Sequence, residues 1–271
     1  MPLRCPRRRD WLRWPRRGFI RWEDLITTLA TEHPLAVTVA EAIHSGDVDL
    51  LKRLLDEHPG LVKARLGDDD PDGMSRTLLH VATDWPGNFR NGPEVVRVLV
   101  SAGADVNARF VGPHEETPLH WAASSDDVAV LDTLIDLGAD IDARGAVAGG
   151  GTPLADAGAF RNWAAAYRLI DRGATPTLVD SATLGLMDRL AEAFAADPPP
   201  RGTVVSHAFW GACHGGRPEA AKFLLERGAV IDWVPGWEPM TPLDAARRSN
   251  ADDVVAWLIA RGAHSATELT G

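Results

Sequence analysis

Apolar positions along this chain fall on a helical period. Val128, Leu131, Leu134 and Ile135 stand at i, i+3, i+6 and i+7, and Val48, Leu51, Leu54 and Leu55 repeat that spacing. Each set therefore gathers on one face of an amphipathic helix. Glycine closes such stretches, because it most readily takes the left-handed conformation at the residue after a helix. The pair Gly-Ala marks these closures at Gly103, Gly138, Gly173, Gly228 and Gly262, at intervals of 35, 35, 55 and 34 residues. The long interval holds one extra, degenerate unit. Asp105-Val106-Asn107 and Asp140-Ile141-Asp142 follow two of the closures and lead into hairpin-like turns. A single unit cannot bury its stripe alone, so neighbours must stack.

A shorter helix precedes each stripe. Thr117-Pro118-Leu119-His120, Thr152-Pro153-Leu154 and Thr241-Pro242-Leu243 open three of them, and Thr77-Leu78-Leu79-His80 is a weaker copy. Threonine suits the N-cap, and proline suits the first helical position, where its missing amide hydrogen costs nothing. In period and signature the chain resembles the ankyrin repeat. That resemblance implies an all-α solenoid of about seven stacked helix-turn-helix units with hairpin-like connecting loops. The units lie near 37–67, 76–109, 116–144, 151–175, 176–201, 206–232 and 240–264. Ala155 and Asp244 stand where histidine is usual, and His207-Ala208-Phe209-Trp210 occupies the signature of the sixth unit. Outside the array, residues 1–21 read as a basic disordered tail, 22–36 as an N-terminal helical cap and 265–271 as a C-terminal tail.

Charge changes this picture at one end only. Residues 1–30 carry eight arginines against Asp10, Glu23 and Asp24, giving +5, so the remainder of a chain of net charge −10 carries −15. An acidic body repels phosphate backbones, which excludes nucleic-acid binding by the repeats. The arginine arm, with Trp11, Trp14 and Trp22, has the composition of a tether to an anionic membrane or nucleic acid. Tethering is the weaker reading, because Arg-rich, Pro-containing sequence without periodicity has the composition of a disordered extension. No run of about 18 apolar residues is present, so no integral membrane segment is expected. Two cysteines, Cys5 and Cys213, exclude a disulfide framework and point to the cytoplasm. Three lysines against 25 arginines read as the codon bias of a GC-rich, bacterial-type genome.

The candidate chemistries fail on their residues. Asp68, Asp70, Asp72 and Gly73 match the start of a calcium loop, but Leu79 stands where a bidentate glutamate is required. Gly149-Gly150-Gly151 lacks the Lys-Ser/Thr of a phosphate loop. His80 and His120 recur at one repeat position, which favours a local hydrogen bond to the preceding threonine. Adjacent Cys213 and His214 point about 100° apart on a helix and cannot easily pair as nucleophile and base. No catalytic set and no cofactor are expected, although an enzyme of small molecules or metals built on the acidic loop is the alternative reading.

In proteins similar to this one, partners contact the hairpin tips and the exposed face of the first helices. That resemblance implies a protein-binding adaptor, standing as a monomer, with an unidentified protein partner. Carried over by repeat, the candidate residues begin with Asp84 and Trp85 and the insertion that follows, with Asn88, Phe89 and Arg90. Glu116, Ser124 and Ser125 follow in the third unit, with Phe110 and His114 on the hairpin before it. Phe160 and Arg161 come from the fourth, His214 from the sixth, and Trp237 from the hairpin after it. Trp121, Trp210 and Trp257 are assigned to packing.

Overall fold

The computed structural model describes residues 28–67 and 73–270. Its helices come in consecutive pairs: α1 (Pro34–Ser45) with α2 (Val48–Glu57), α3 (Leu78–Ala82) with α4 (Gly92–Ser101), and α5 (Pro118–Ser124) with α6 (Val128–Asp136). Next come α7 (Pro153–Ala159) with α8 (Trp163–Asp171), α9 (Leu178–Leu184) with α10 (Met187–Ala195), and α11 (Thr203–His214) with α12 (Pro218–Leu225). A further pair, α13 (Pro242–Arg248) with α14 (Asp252–Ile259), precedes α15 (Ala266–Leu269). No helix among the described residues is long and apolar enough to cross a membrane.

The fold is mostly helical but not wholly so. At one end a three-stranded sheet joins β1 (Thr28–Leu29), β2 (Arg65–Gly67) and β3 (Ser75–Thr77) in that order. β1 runs parallel to β2, with Thr28 opposite Arg65, and β2 runs antiparallel to β3. The expected helical cap at 22–36 is thus corrected where it can be seen. Thr28 and Leu29 are strand, and α1 already begins at Pro34. Residues 22–27, the arginine arm and the acidic segment 68–72 lie outside the described residues. The C-terminal tail is corrected too. The Ser265 backbone N–H and hydroxyl both donate to Glu268, capping α15, and the Ala266 N–H donates to Asp244 at 2.8 Å.

The opening of each first helix explains the recurring signature. In α5, the Thr117 backbone N–H donates to His120 Nδ1 at 3.1 Å, and the Thr117 hydroxyl lies 2.9 Å from the same nitrogen. An Nδ1 that accepts leaves the proton on Nε2. From there His120 reaches the Gly151 carbonyl of the next pair, as His80 reaches that of Glu116 at 3.1 Å. One imidazole therefore caps its own helix and ties two units together. Burial keeps both rings neutral, lowering His80 to about 3 and His120 to about 4. In α9 and α13 a carboxylate does the capping half of this work. Asp180 accepts from Thr177 and Asp244 from Thr241, through backbone and hydroxyl alike.

The apolar stripes meet in two clusters. The first runs from Leu29 to Leu184 and contains Leu51, Leu99, Leu131, Leu134 and Leu169; the second runs from Ala182 to Leu258 around Phe209. They divide at α9. Polar ties stitch the flanks of this seam. The Tyr167 hydroxyl donates to the Leu184 carbonyl at 2.9 Å, and Arg161 donates to the Ser249 carbonyl at 3.0 Å. The Arg217 guanidinium stands 5.3 Å from the Trp163 ring centroid and donates to the Thr183 carbonyl.

Candidate functional site

A groove of about 540 Å³ crosses the second, third and fourth helix pairs. Its walls come from the C-terminal ends of α3, α5 and α7, which supply Asp84 and Trp85, Ser124 and Ser125, and Phe160. Glu116 and Val147, on the loops before α5 and α7, close the other side, and Trp121 of α5 lies between. Trp85 is 79 % exposed and Phe160 52 %. Large apolar side chains at such exposure on one concavity are the composition of a contact surface.

The insertion in the second pair gives Trp85 its position. A loop of residues 83–91 separates α3 from α4, and it is pinned on both sides. The Asn88 backbone N–H donates to Asp127 at 2.7 Å, and the Asn91 side chain donates to the Gly46 carbonyl at 2.9 Å. The Phe89 ring stacks on His44 at 4.5 Å between centroids. Gly87 has a φ of 71°, and a Cβ there would sit 2.7 Å from that of Ser125. Phe89 is therefore a packing residue of the loop, whereas Trp85 is left projecting.

Charge in the groove is one-sided. None of its lining residues is a lysine or arginine. Asp84 is already paired with Arg76. Glu116 is buried and has no ion pair among the described residues. Burial raises its pKa, and the neighbouring Trp121 side chain offsets part of the rise. Behind it lies Asp156, with no exposed surface; its Oδ1 accepts from the Ala148 N–H at 3.1 Å while Oδ2 has no partner. Burial pushes Asp156 up to about 7, and the charge of Glu116 adds to the effect. Two more buried oxygens are unpartnered, Ser124 Oγ in the groove wall and Thr152 Oγ1. The latter is orphaned because Ala155 stands where His120 and His80 serve their own threonines.

The candidate residues divide three ways. Asp84, Trp85, Glu116, Ser124, Ser125 and Phe160 come together in the groove. Glu116 does so as a buried group, correcting the expectation of an exposed one; it stands on the loop before α5, where no helical period reports burial. Asn88, Phe89, Arg90, Phe110 and His114 lie outside the groove lining. Of these, Phe110 packs 5.5 Å from the Trp121 ring, and Arg90 and His114 are exposed. Arg161, His214 and Trp237 lie elsewhere. His214 is not on an exposed face: it is 5 % exposed, with Nε2 at 3.3 Å from the Gly158 carbonyl and Nδ1 at 3.3 Å from the Ser249 hydroxyl. The seam between pairs closes over it because α11 reaches the end of α7. Trp237 is exposed and joins His207, Trp233 and Trp210 in an aromatic cluster.

Trp121, Asp156 and Asn162 were missed as site residues. Trp121 lines the groove but also packs edge-on against His80, so its packing role is real and incomplete. The sequence signal for Asp156 was the loss of histidine beside it, at Ala155. Trp210 is buried, its indole donating to the Met240 carbonyl at 3.0 Å, while Trp257 is only partly buried under Arg261. Cys213 is fully buried, which raises its thiol pKa. Among the described residues no group of three His, Cys, Asp or Glu side chains is placed to hold a metal.

Helix pairs stacked in sequence, tied by capping residues and joined by hairpin loops, define a helical repeat protein. Residues 89–180 match the family model described as ankyrin repeats (3 copies). That segment is made of ankyrin repeats, and it holds most of the groove. A search of the curated proteins gives no match.

Proposed function

We propose that the chain is a protein-binding adaptor in which seven helix pairs, from α1/α2 to α13/α14, act as ankyrin units. The groove over the second to fourth pairs holds the partner. Ankyrin repeats are generally protein-interaction modules, and this array brings two exposed aromatics, Trp85 and Phe160, onto one concavity. That convergence, from segments 75 residues apart in the chain, is the observation that supports the reading. Aromatic anchors at the centre of an interface carry a disproportionate share of binding energy.

The test is the W85A/F160A double variant. Both side chains are exposed, so the thermal midpoint should stay within about 2 °C of the parent, as surface substitutions cost little. A protein retained by the parent from its native proteome, once purified, should bind the variant at least about tenfold more weakly, equivalent to about 1.4 kcal/mol. Equal affinity for parent and variant would place the contact surface elsewhere.

A further inference from the structure

The chemistry of the groove narrows the partner. We infer that the groove seats a basic side chain, arginine or lysine, projected from a peptide segment of the partner, with Glu116 as its counter-charge. The inference rests on the groove being the partner surface.

Three features carry it. First, the cavity is lined by the largely buried Glu116 and by no lysine or arginine. The one other acidic wall residue, Asp84, is already neutralised by Arg76. A buried carboxylate without an ion pair is costly, and a cation brought to it recovers the lost solvation through a charge-assisted hydrogen bond.

Second, three aromatic side chains, Trp85, Trp121 and Phe160, share the cavity with that carboxylate. Aromatic rings, tryptophan above all, attract cations electrostatically and cover the alkyl stem of a long basic side chain. Trp121 is held in place by His80, at 5.0 Å and edge-on, and by Phe110, at 5.5 Å. It is therefore pre-organised, and little ordering remains to oppose binding.

Third, the surroundings favour a donor. Ser124 Oγ, in the wall, has no hydrogen-bond partner. Asp156, close enough to Glu116 for their charges to oppose, adds negative potential behind it whenever ionised. An acidic side chain would meet repulsion from both carboxyls. A purely apolar one would leave Ser124 unpartnered and Glu116 without a counter-charge under a dry cover. The net charge of −10 for the whole chain also steers basic segments toward it.

The experiment titrates isotope-labelled full-length chain with four seven-residue Gly/Ser peptides, each carrying two central arginines, citrullines, leucines or glutamates. The readout is the indole N–H resonances of Trp85 and Trp121 up to 10 mM peptide. The arginine peptide should produce saturable shifts of both indoles. Citrulline, the same shape without charge, should bind at least tenfold more weakly. E116Q should lose most of the arginine response. The citrulline comparison needs no substitution in the protein, so it decides the matter even if E116Q folds poorly. Saturation by the leucine peptide with no response to arginine would overturn the basic occupant while leaving the groove as a docking surface. Equal shifts from arginine and citrulline would overturn the role of charge. Silence from all four peptides would overturn both this inference and the groove.

Discussion

At the scale of single residues, the buried titratable groups pull stability in opposite directions with pH. His80 and His120 are held near 3 and 4, below the ordinary 6.5. The unfolded chain takes up protons that the folded chain refuses, so these histidines cost stability as pH falls below 6.5. Asp156, raised to about 7 from 3.8, does the reverse. Between those values the folded chain keeps a proton that the unfolded chain releases. Stability therefore falls as pH rises through the window, and the full penalty stands above pH 7. D156N removes that penalty while keeping an oxygen for the Ala148 N–H. At pH 8 it should raise stability by on the order of 1 kcal/mol, or about 2–4 °C in thermal midpoint. At pH 5, where Asp156 is mostly protonated, the gain should largely vanish. Calorimetry at the two pH values checks this; an equal shift at both would show that Asp156 does not titrate in the folded chain as its burial demands.

At the scale of elements, the capping logic was legible wherever proline and histidine preserved the signature, as at Thr117 to His120. It was illegible where the same geometry was made by other residues. Thr177 with Asp180 and Ser265 with Glu268 build capping boxes without proline. The first falls in the degenerate fifth unit, and the second turns an expected tail into a helix. The insertion at 86–93 was visible as extra length and aromatic content. Its division of labour was not, because Phe89 finds His44 and Asn88 finds Asp127 only across unit boundaries. Gly87 tests how firmly this loop is seated. G87A and G149A both force alanine into a left-handed conformation, at φ of 71° and 64°, which costs about 1–2 kcal/mol in either case. Only at Gly87 does the new methyl group also meet Ser125, whereas nothing lies within 4 Å at Gly149. G87A should therefore destabilise by about 1–3 kcal/mol more than G149A in denaturant titration. Equal losses would mean that the loop yields, and that Trp85 is not held in place by it.

At the scale of the whole molecule, the array is two cores joined at α9. Repeat arrays are stable through neighbour interfaces rather than one global core, so cooperativity is only as strong as the weakest interface. Sequence showed the weak place as the 55-residue interval between glycine closures, but not what compensates for it. The compensation comes from residues far apart in the chain, which is why no local pattern announced it. Tyr167 reaches Leu184, His214 reaches Gly158, Arg161 reaches Ser249, and Arg217 lies between Trp163, Tyr167 and Thr183. By contrast, the third and fourth pairs are joined by direct ion pairs, Arg168 and Arg172 with Asp132. R217A combined with Y167F removes two of the seam ties and leaves both apolar clusters intact. Each tie lost should cost about 1 kcal/mol, and the cost should fall on the coupling rather than on either core. Urea unfolding of the variant should therefore separate into two transitions. Hydrogen exchange at intermediate urea should show residues 203–259 and residues 78–171 losing protection at different concentrations. In the parent the two should lie closer together. A single transition in the variant, with uniform exchange across both segments, would show that α9 carries the coupling by apolar packing alone.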